Sequence, residues 1–364
     1  EYVAPLPGLM ILIPPAIGMR GNIFGALGSR LGTAMHIGTF EVSFRPRSIL
    51  RQNMESSLLL TLIMSLLMGV LAKVVAEAFG VPSISMQDFV FISVLGGVLA
   101  GLVLFVINVI VAKTGFERNW DVDNISAPLI TAAGDIITLP MLFLAAIIVL
   151  DAPSLLIDAF FVIIVVATIA LTAMMFRKGE KEVRRVIRQS FPVLTLCVVL
   201  DIVAGLTIDH QLESLVALPA LLVLIPPFLE DANALGGILT SRFSTQLHMG
   251  QMKPGALPGE TARENFAIIY VFALWVFTLV GVSSYAVAWI MGLGSPPLWD
   301  IVVLTLLAGL ITVTFLNIVA YYVAVATYRL NLDPDDHSIP LTSSAVDMIG
   351  SFALIGVILL MGLG

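Results

Sequence analysis

The sequence predicts an all-α polytopic membrane protein made of two parallel, pseudo-twofold-related five-helix repeats and one linker transmembrane helix. Three observations carry this prediction: an apolar composition, a series of long apolar runs, and a repeat at a constant offset. Hydrophobic residues make up 59% of the 364 residues and charged residues only 12%. A soluble domain carries about 25% charged residues, so this chain cannot cover a water-facing surface and a soluble globular enzyme is excluded.

Ten apolar runs are long enough to cross a bilayer, whose core takes roughly 20 apolar residues per helix. The runs are continuous and do not alternate with polar residues, so a transmembrane β-barrel is excluded. The predicted spans cover residues 5–31, 54–79, 88–113, 125–150, 154–176, 190–208, 214–243, 266–291, 298–328 and 338–361.

The basic residues fall on alternate connections between these spans. Of the 18 Lys and Arg residues, 16 lie on one set of connections, and none lies on the opposite set around Pro82, Pro153, Asp209 and Pro296. Basic connections stay in the cytoplasm, so we expect a multi-pass protein of the cell membrane with its basic loops on the cytoplasmic side. The basic run 177–188 is expected to be a cytoplasmic linker that touches anionic lipid.

The sequence repeats itself at an offset of 212 residues. Because the offset stays constant from the first matched pair to the last, an internal duplication explains it. The matched segments include Leu-Ile-Pro-Pro at 12–15 and 224–227, Ser-Arg at 29–30 and 241–242, Gly80 and Gly292, and Asp135 and Asp347.

The number of helices in each repeat predicts how the repeats are related. The sixth span begins the second repeat, and its counterpart would precede Glu1, so we expect an incomplete N-terminus that lacks the first helix of repeat 1. Two directly joined five-helix repeats would be inverted, and the extra fifth span makes them parallel about an axis along the membrane normal. We predict a first repeat at residues 1–152, a linker helix and basic loop at 153–189, and a second repeat at 190–364. Such a chain is a fused homodimer, so a monomer is expected to suffice.

Two membrane aspartates, Asp135 and Asp347, are the strongest functional candidates, because ionisable groups at membrane depth are costly. Thr131 and Ser343 lie one helical turn before them on the same face. The pseudo-twofold axis is expected to place the two carboxylates opposite one another on a water-lined path. Carboxylates with hydroxyl and carbonyl oxygens suit Mg²⁺, which keeps most of its water and needs few direct ligands. The alternative is that each aspartate hydrogen-bonds a neighbouring helix.

Proline pairs and glycines mark the second candidate region. The pairs at 14–15 and 226–227 are expected to break their helices and to free carbonyl groups, which a membrane tolerates only beside protein or water. Small residues at helical spacing in the segment 18–32 favour close helix packing or a pore lining. Asn22 and Asn233 in the same helices are interpreted as pore-lining residues.

The repeats differ most where the first has Arg20 and the second has Glu230 and Asp231. A buried Arg20 that pairs with either acid would neutralise both charges. Alternatively, the two acids form a second cation site.

Further acidic residues precede the last helix of each repeat. They are interpreted either as helix caps, because acids stabilise a helix N-terminus, or as a mouth that attracts cations. They are Asp121 and Asp123 in repeat 1, and Asp333, Asp335 and Asp336 in repeat 2.

Composition excludes other chemistry. The net charge of −7 and the isoelectric point near 5.1 argue against nucleic acid as a partner. Cys197 is the single cysteine, so no internal disulfide can form. The sequence contains no phosphate loop, zinc helix or nucleophile elbow.

These motifs resemble those of a known family. Residues 15–22, Pro-Ala-Ile-Gly-Met-Arg-Gly-Asn, followed by Ser-Arg-Leu at 29–31, resemble the first-repeat motif of the solute carrier family 41 magnesium transporters. Residues 123–138 are similar to the late-helix motif of the same family, and residues 333–347 resemble the matching segment of bacterial MgtE magnesium channels. The resemblance covers nearly the whole chain, in both repeats.

Membership of this superfamily would imply Mg²⁺ transport through a central pore. The acidic residue that binds Mg²⁺ on the last helix of each unit matches Asp135 and Asp347, and the acidic residue that opens the same motif matches Asp121 and Asp333. Solute carrier family 41 members carry both units in one chain, in agreement with the extra fifth span. The second repeat departs from the Gly-Asn motif at residues 230–233, which puts the choice of ion in doubt.

Other functions stay open at this point. One is transport of another cation, or export of Mg²⁺ coupled to Na⁺ or H⁺. The other is an intramembrane aspartyl protease, in which two carboxylates share a proton; the sequences around Asp135 and Asp347 do not match the Tyr-Asp and Gly-x-Gly-Asp motifs of such enzymes. The leading prediction is therefore a channel or transporter, not an enzyme, with Mg²⁺ as the transported ion and the lipid bilayer as its surroundings.

Overall fold

The computed structural model describes residues 6–36, 38–45, 47–118, 122–332 and 334–363, with side chains for all of these except residues 33, 36, 122–128, 131, 212–214 and 334–336. Within these residues the fold is all α, and a 3₁₀ turn at Leu9–Leu12 precedes eleven helices. They are α1 (Ile13–His36), α2 (Ile49–Ala78), α3 (Met86–Arg118), α4 (Val122–Asp151), α5 (Ser154–Lys178), α6 (Lys181–His210), α7 (Leu212–Ala217), α8 (Pro219–His248), α9 (Glu260–Ile290), α10 (Leu298–Leu330) and α11 (Pro334–Leu360).

Ten of the helices in the described ranges are long and apolar enough to cross a membrane, which confirms the ten spans predicted from the sequence. The remaining helix, α7, has six residues and was merged with the next span in the sequence analysis. Leu218, with φ of −126° and ψ of 81°, separates α7 from α8, and Pro219 then begins α8. A proline suits this first helical position because the backbone N–H of any other residue there would lack an intrahelical partner.

The chain forms two compact units, residues 1–202 and 203–364. In the first unit α1 contacts α2, α3 and α4, and in the second unit α8 contacts α9, α10 and α11. The helix bounds repeat at the offset found in the sequence, since α3 and α10 each have 33 residues and begin at Met86 and Leu298. The predicted domain boundaries near residues 152 and 190 stay a prediction.

Equivalent glycines end equivalent helices. Gly80 and Gly292 follow α2 and α9 with φ of +68° and +65°. In this left-handed conformation glycine has no side chain to clash, whereas other residues are strained. The turn that leads into the next helix therefore has the same construction in both units.

A second glycine pair brings two helices into backbone contact. A Cβ atom at Gly69 in α2 would lie 2.8 Å from Val90 Cα in α3. A Cβ atom at Gly281 in α9 would lie 2.6 Å from Thr305 Oγ1 and 3.0 Å from Val302 Cα in α10. Because membrane helices associate through close van der Waals packing, these glycines set the helix spacing in each unit.

The proline pairs have different effects in the two units. In the first unit the 3₁₀ turn Leu9–Leu12 passes directly into α1 at Ile13, so residues 14–15 lie in the first turn of α1. In the second unit α8 runs without interruption through residues 226–227, so the expected break is absent. The fixed φ of proline is compatible with a helix even though each proline removes one backbone hydrogen bond.

The basic run also differs from expectation. The sequence predicts a loop over residues 177–188, but α6 already begins at Lys181. Arg and Lys favour helices, and Arg185 Nη1 lies 3.5 Å from Glu182 Oε1 one turn earlier. Only two residues separate α5 from α6, so the connection is a tight turn between helices.

Gly69→Ala and Gly281→Ala should each lower the stability of the protein, because the added methyl group meets backbone that cannot move away. We expect a loss of about 1–3 kcal/mol, as for other overpacked sites. Thermal unfolding of the purified protein in detergent measures this loss.

Gly25→Ala and Gly237→Ala are the matched controls, since a Cβ atom at either helical position has nothing within 4 Å. Both should be neutral or stabilising by up to about 1 kcal/mol, because alanine favours a helix over glycine. Equal melting temperatures for all four variants would contradict the proposed packing role.

Candidate functional site

The second unit holds a buried carboxylate in the middle of a spanning helix. Asp347 lies half-way along α11, and only 5% of its surface is exposed. Its Oδ1 atom accepts a hydrogen bond from Asn233 Nδ2 of α8, at 2.8 Å. Hydrogen bonds to charged groups are stronger than those between neutral groups, so the amide holds the carboxylate in one orientation.

Gly236 and Gly350 lie at the contact between α8 and α11, one turn from the two bonded residues. A Cβ atom at Gly236 would lie 3.5 Å from Thr342 Cγ2, and one at Gly350 would lie 3.0 Å from Leu229 Cδ2. Thr240 donates to Thr342 across the same interface, with 3.2 Å between the two Oγ1 atoms. A polar seam thus runs along the contact between the two helices.

Three other predicted residues lie near this pair along the helices. Ser343 is half-buried one turn before Asp347, and Glu230 and Asp231 are half-buried on α8, at the turn before Asn233. Among the residues that the structure describes, no three His, Cys, Asp or Glu side chains form a ready metal cluster. The arrangement offers one oriented carboxylate with polar neighbours rather than a closed ligand cage.

In the first unit Asp135 is half-buried on α4. A Cβ atom at the preceding Gly134 would lie 3.8 Å from Arg20 Cβ and 3.9 Å from the Gly21 backbone nitrogen, so this part of α4 packs on α1. At the offset of 212 residues, Gly21 stands where the second unit has Asn233. The amide that orients Asp347 therefore has no equivalent at this position of α1.

The two candidate asparagines are not equivalent residues. Asn22 is half-buried in α1, and at the offset of 212 residues its counterpart is Ala234. Its Nδ2 atom is buried and has no hydrogen-bond partner among the described residues. Only Asn233 contacts a candidate aspartate through a hydrogen bond that the structure shows.

Arg20 is fully buried in the first unit, with 0% of its surface exposed. Its Nη2 atom donates to Ser65 Oγ of α2 at 2.7 Å. The guanidinium also packs against Gly97 of α3, where any side chain would collide with it. The predicted pairing with Glu230 or Asp231 links the two units and stays a prediction.

Several predicted site residues lie outside the described part of the structure. Asp121 and Asp333 are among them, as are the side chains of Asp123 and Thr131. The choice between helix caps and a cation-attracting mouth, and the role of Thr131, stay predictions.

Sequence reasoning missed Ser65 and Gly97, and it did not pair Asn233 with Asp347. At the offset of 212 residues Ser65 is matched by Phe277 and Arg20 by Ala232. The repeats differ at many neighbouring positions as well, so the sequence does not mark these two differences as linked. No signal marks the Asn233–Asp347 pair either.

The chain is similar to a known family of transporters. The sequence model of the MgtE family, described as a divalent cation transporter, matches residues 13–145 and 225–357. The two matched segments begin 212 residues apart, which is the offset of the internal repeat. Each segment contains one of the two candidate aspartates.

Curated relatives match over nearly the whole chain. Solute carrier family 41 member 3 of Mus musculus is 25% identical over 369 residues, covering 95% of this chain and 74% of the relative. Solute carrier family 41 member 2 of Mus musculus is 26% identical, covering 95% of this chain and 63% of the relative. For the Homo sapiens member 2 the identity is 25%, with 97% of this chain and 64% of the relative covered. The chain thus spans less than two thirds of these two member 2 relatives. No solved structure matches the chain.

Asn233→Ala should destabilise the second unit, because it leaves the buried Asp347 carboxylate without its amide donor. The expected cost is about 1.5–3 kcal/mol, the range for hydrogen bonds to charged groups. Asn22→Ala is the control, since the amide nitrogen that it removes has no partner in the described structure. Thermal or chemical unfolding of both variants tests this difference, and a larger loss for Asn22→Ala would contradict it.

Proposed function

We propose that this chain, which belongs to the MgtE family of divalent cation transporters, carries Mg²⁺ across the cell membrane along a path lined by Asp135 and Asp347. The chain is a multi-pass membrane transporter and not an enzyme. The observation that carries the proposal is the Asp347 carboxylate, which is 5% exposed in the middle of a spanning helix. Buried acids at membrane depth are costly and mark ion paths.

The chemistry of Mg²⁺ supports this choice of ion. Mg²⁺ loses its water reluctantly and is usually held by one or two carboxylates. Asp347 offers one such carboxylate with polar neighbours. Asn233 orients this carboxylate, and Ser343 lies one turn earlier on α11. Ca²⁺ takes six to eight oxygen ligands, and the described residues provide no cluster of three acidic, His or Cys side chains.

We further propose that the basic connections face the cytoplasm. The strong bias of Lys and Arg to alternate connections supports this orientation through the positive-inside rule. The pore shared by Asp135 and Asp347, on the axis between two parallel repeats, remains part of the proposal. So do the roles of Asn22, Asn233, Glu230 and Asp231 as residues that line the path.

Asp135→Asn and Asp347→Asn should each cut Mg²⁺ flux strongly, by about tenfold or more. Each change keeps the shape of the side chain and removes the negative charge that attracts the cation. The double variant should nearly abolish flux. Mg²⁺ uptake into proteoliposomes, normalised to folded protein, is the measurement.

Asp158→Asn is the control for loss of one negative charge, because Asp158 is exposed on α5. It should transport at the wild-type rate. A structural role for Asp135 and Asp347 predicts the opposite pattern, with less folded protein but normal flux per folded molecule. Unchanged normalised flux in both variants would exclude these residues from the path.

The same liposomes separate the competing transport functions. Uptake that proceeds without Na⁺ or H⁺ gradients supports uncoupled Mg²⁺ movement, whereas a strict need for either gradient identifies an exchanger. Faster flux of another divalent cation under matched concentrations would overturn the assignment of Mg²⁺.

A further inference from the structure

The two units fill an equivalent space with different side chains, a charged guanidinium in the first unit and a neutral aromatic ring in the second. In the first unit the Arg20 guanidinium lies between Ser65 and Gly97, as the hydrogen bond to Ser65 Oγ and the collision of any side chain at Gly97 show. In the second unit the residues at the same offset are Ala232, Phe277 and Gly309, and the Phe277 ring packs against Gly309 where the guanidinium packs against Gly97. A fixed positive charge therefore replaces a neutral ring.

The charge of Arg20 is poorly compensated within this space. Among the described residues, its hydrogen bond is to a hydroxyl group, and its Nε and Nη1 atoms are buried without a partner. A buried guanidinium without a carboxylate beside it is expensive. Membrane proteins keep such a charge where it serves a function, whereas a phenylalanine fills the equivalent space in the second unit without that cost.

Asp135 is a candidate electrostatic partner for Arg20 in the described part of the unit. The segment of α4 that carries Asp135 packs directly on Arg20, since a Cβ atom at Gly134 would lie 3.8 Å from Arg20 Cβ. The guanidinium extends from there toward α2 and α3, away from water. Its charge therefore acts on the neighbourhood of Asp135 through protein rather than through solvent.

We propose that Arg20 is a resident counter-cation for Asp135, which makes the two aspartate sites unequal. Arg20 competes with a bound divalent cation at Asp135, whereas Asp347 has a neutral amide partner and a neutral ring in the corresponding space. Asp347 is then the tighter Mg²⁺ site, and Asp135 the weaker site from which the ion leaves more readily. The inference rests on the proposed function, because it assumes that both aspartates meet Mg²⁺.

The size of the effect follows from Coulomb's law. For any two charges about 10 Å apart at an effective dielectric constant of about 20, Coulomb's law predicts that one fixed positive charge weakens the binding of a divalent cation by about tenfold or more. The amide of Asn233 carries no net charge, so no comparable penalty applies at Asp347.

The decisive experiment transfers the neutral pair of the second unit into the first. The double variant Arg20→Ala/Ser65→Phe reproduces Ala232 and Phe277 around Gly97, a packing that the second unit already accommodates around Gly309. Mg²⁺ is titrated into the purified full chain in nanodiscs by calorimetry. The dissociation constant of the weaker site should fall about tenfold, as expected for the loss of one nearby charge.

The same titration in variants that also carry Asp135→Asn or Asp347→Asn identifies the aspartate on which Arg20 acts. In the Asp135→Asn background the double variant should leave Mg²⁺ affinity unchanged, and in the Asp347→Asn background it should still tighten binding. Arg20→Met is a second neutral variant, with an unbranched side chain beside Gly97, and should tighten binding in the same way if the double variant folds poorly.

Each result either supports or overturns the inference. Unchanged affinity in folded Arg20→Met and in the folded double variant would refute it. An effect that survives Asp135→Asn but disappears with Glu230→Gln/Asp231→Asn would assign Arg20 to the acids of the second repeat instead. Normal Mg²⁺ flux in both Asp135→Asn and Asp347→Asn would refute the proposed function as well, whereas reduced flux in these variants with unchanged affinity in the Arg20 variants would refute only the counter-cation.

Discussion

The membrane interior has no water to solvate a buried polar group, and this constraint governs where the charged side chains of the protein can lie. Charges at membrane depth therefore lie where helices approach closely and lipid is excluded. Gly134 packs on α1 beside Asp135, and Gly236 and Gly350 lie between α8 and α11 beside Asp347. Close approach also lets a short side chain such as Asn233 reach a carboxylate on the next helix.

The duplication preserves the backbone and varies the charge. The helix bounds of α3 and α10 and the glycine crossings at Gly69 and Gly281 repeat at one offset, because helix spacing must be kept for either unit to pack. The side chains that fill the space beside Gly97 and Gly309 can differ in charge between the units, provided that they fill its volume. An internal duplication can therefore give its two units different electrostatics without a change of fold.

Much of the fold follows from patterns within the sequence. Hydropathy predicted ten spans because each spanning helix must be apolar over its own length, whatever its neighbours are. The offset of 212 residues predicted which helices are equivalent. The prediction of local detail was less accurate. α6 starts at Lys181, and α8 passes without interruption through residues 226–227. Both features depend on a balance of helix propensity and packing that composition does not reveal.

The sequence by itself determined the all-α membrane class and revealed the internal repeat. It also marked the two aspartates as candidates, because an acid in an apolar run stands out without knowledge of its surroundings. Only the tertiary structure decided what each polar group contacts. The partners of Asp347 and Arg20 lie 114 and 45 residues away in the chain. Such contacts depend on which helix faces meet and how closely, and in a membrane this is set by glycine packing between helices that are distant in sequence.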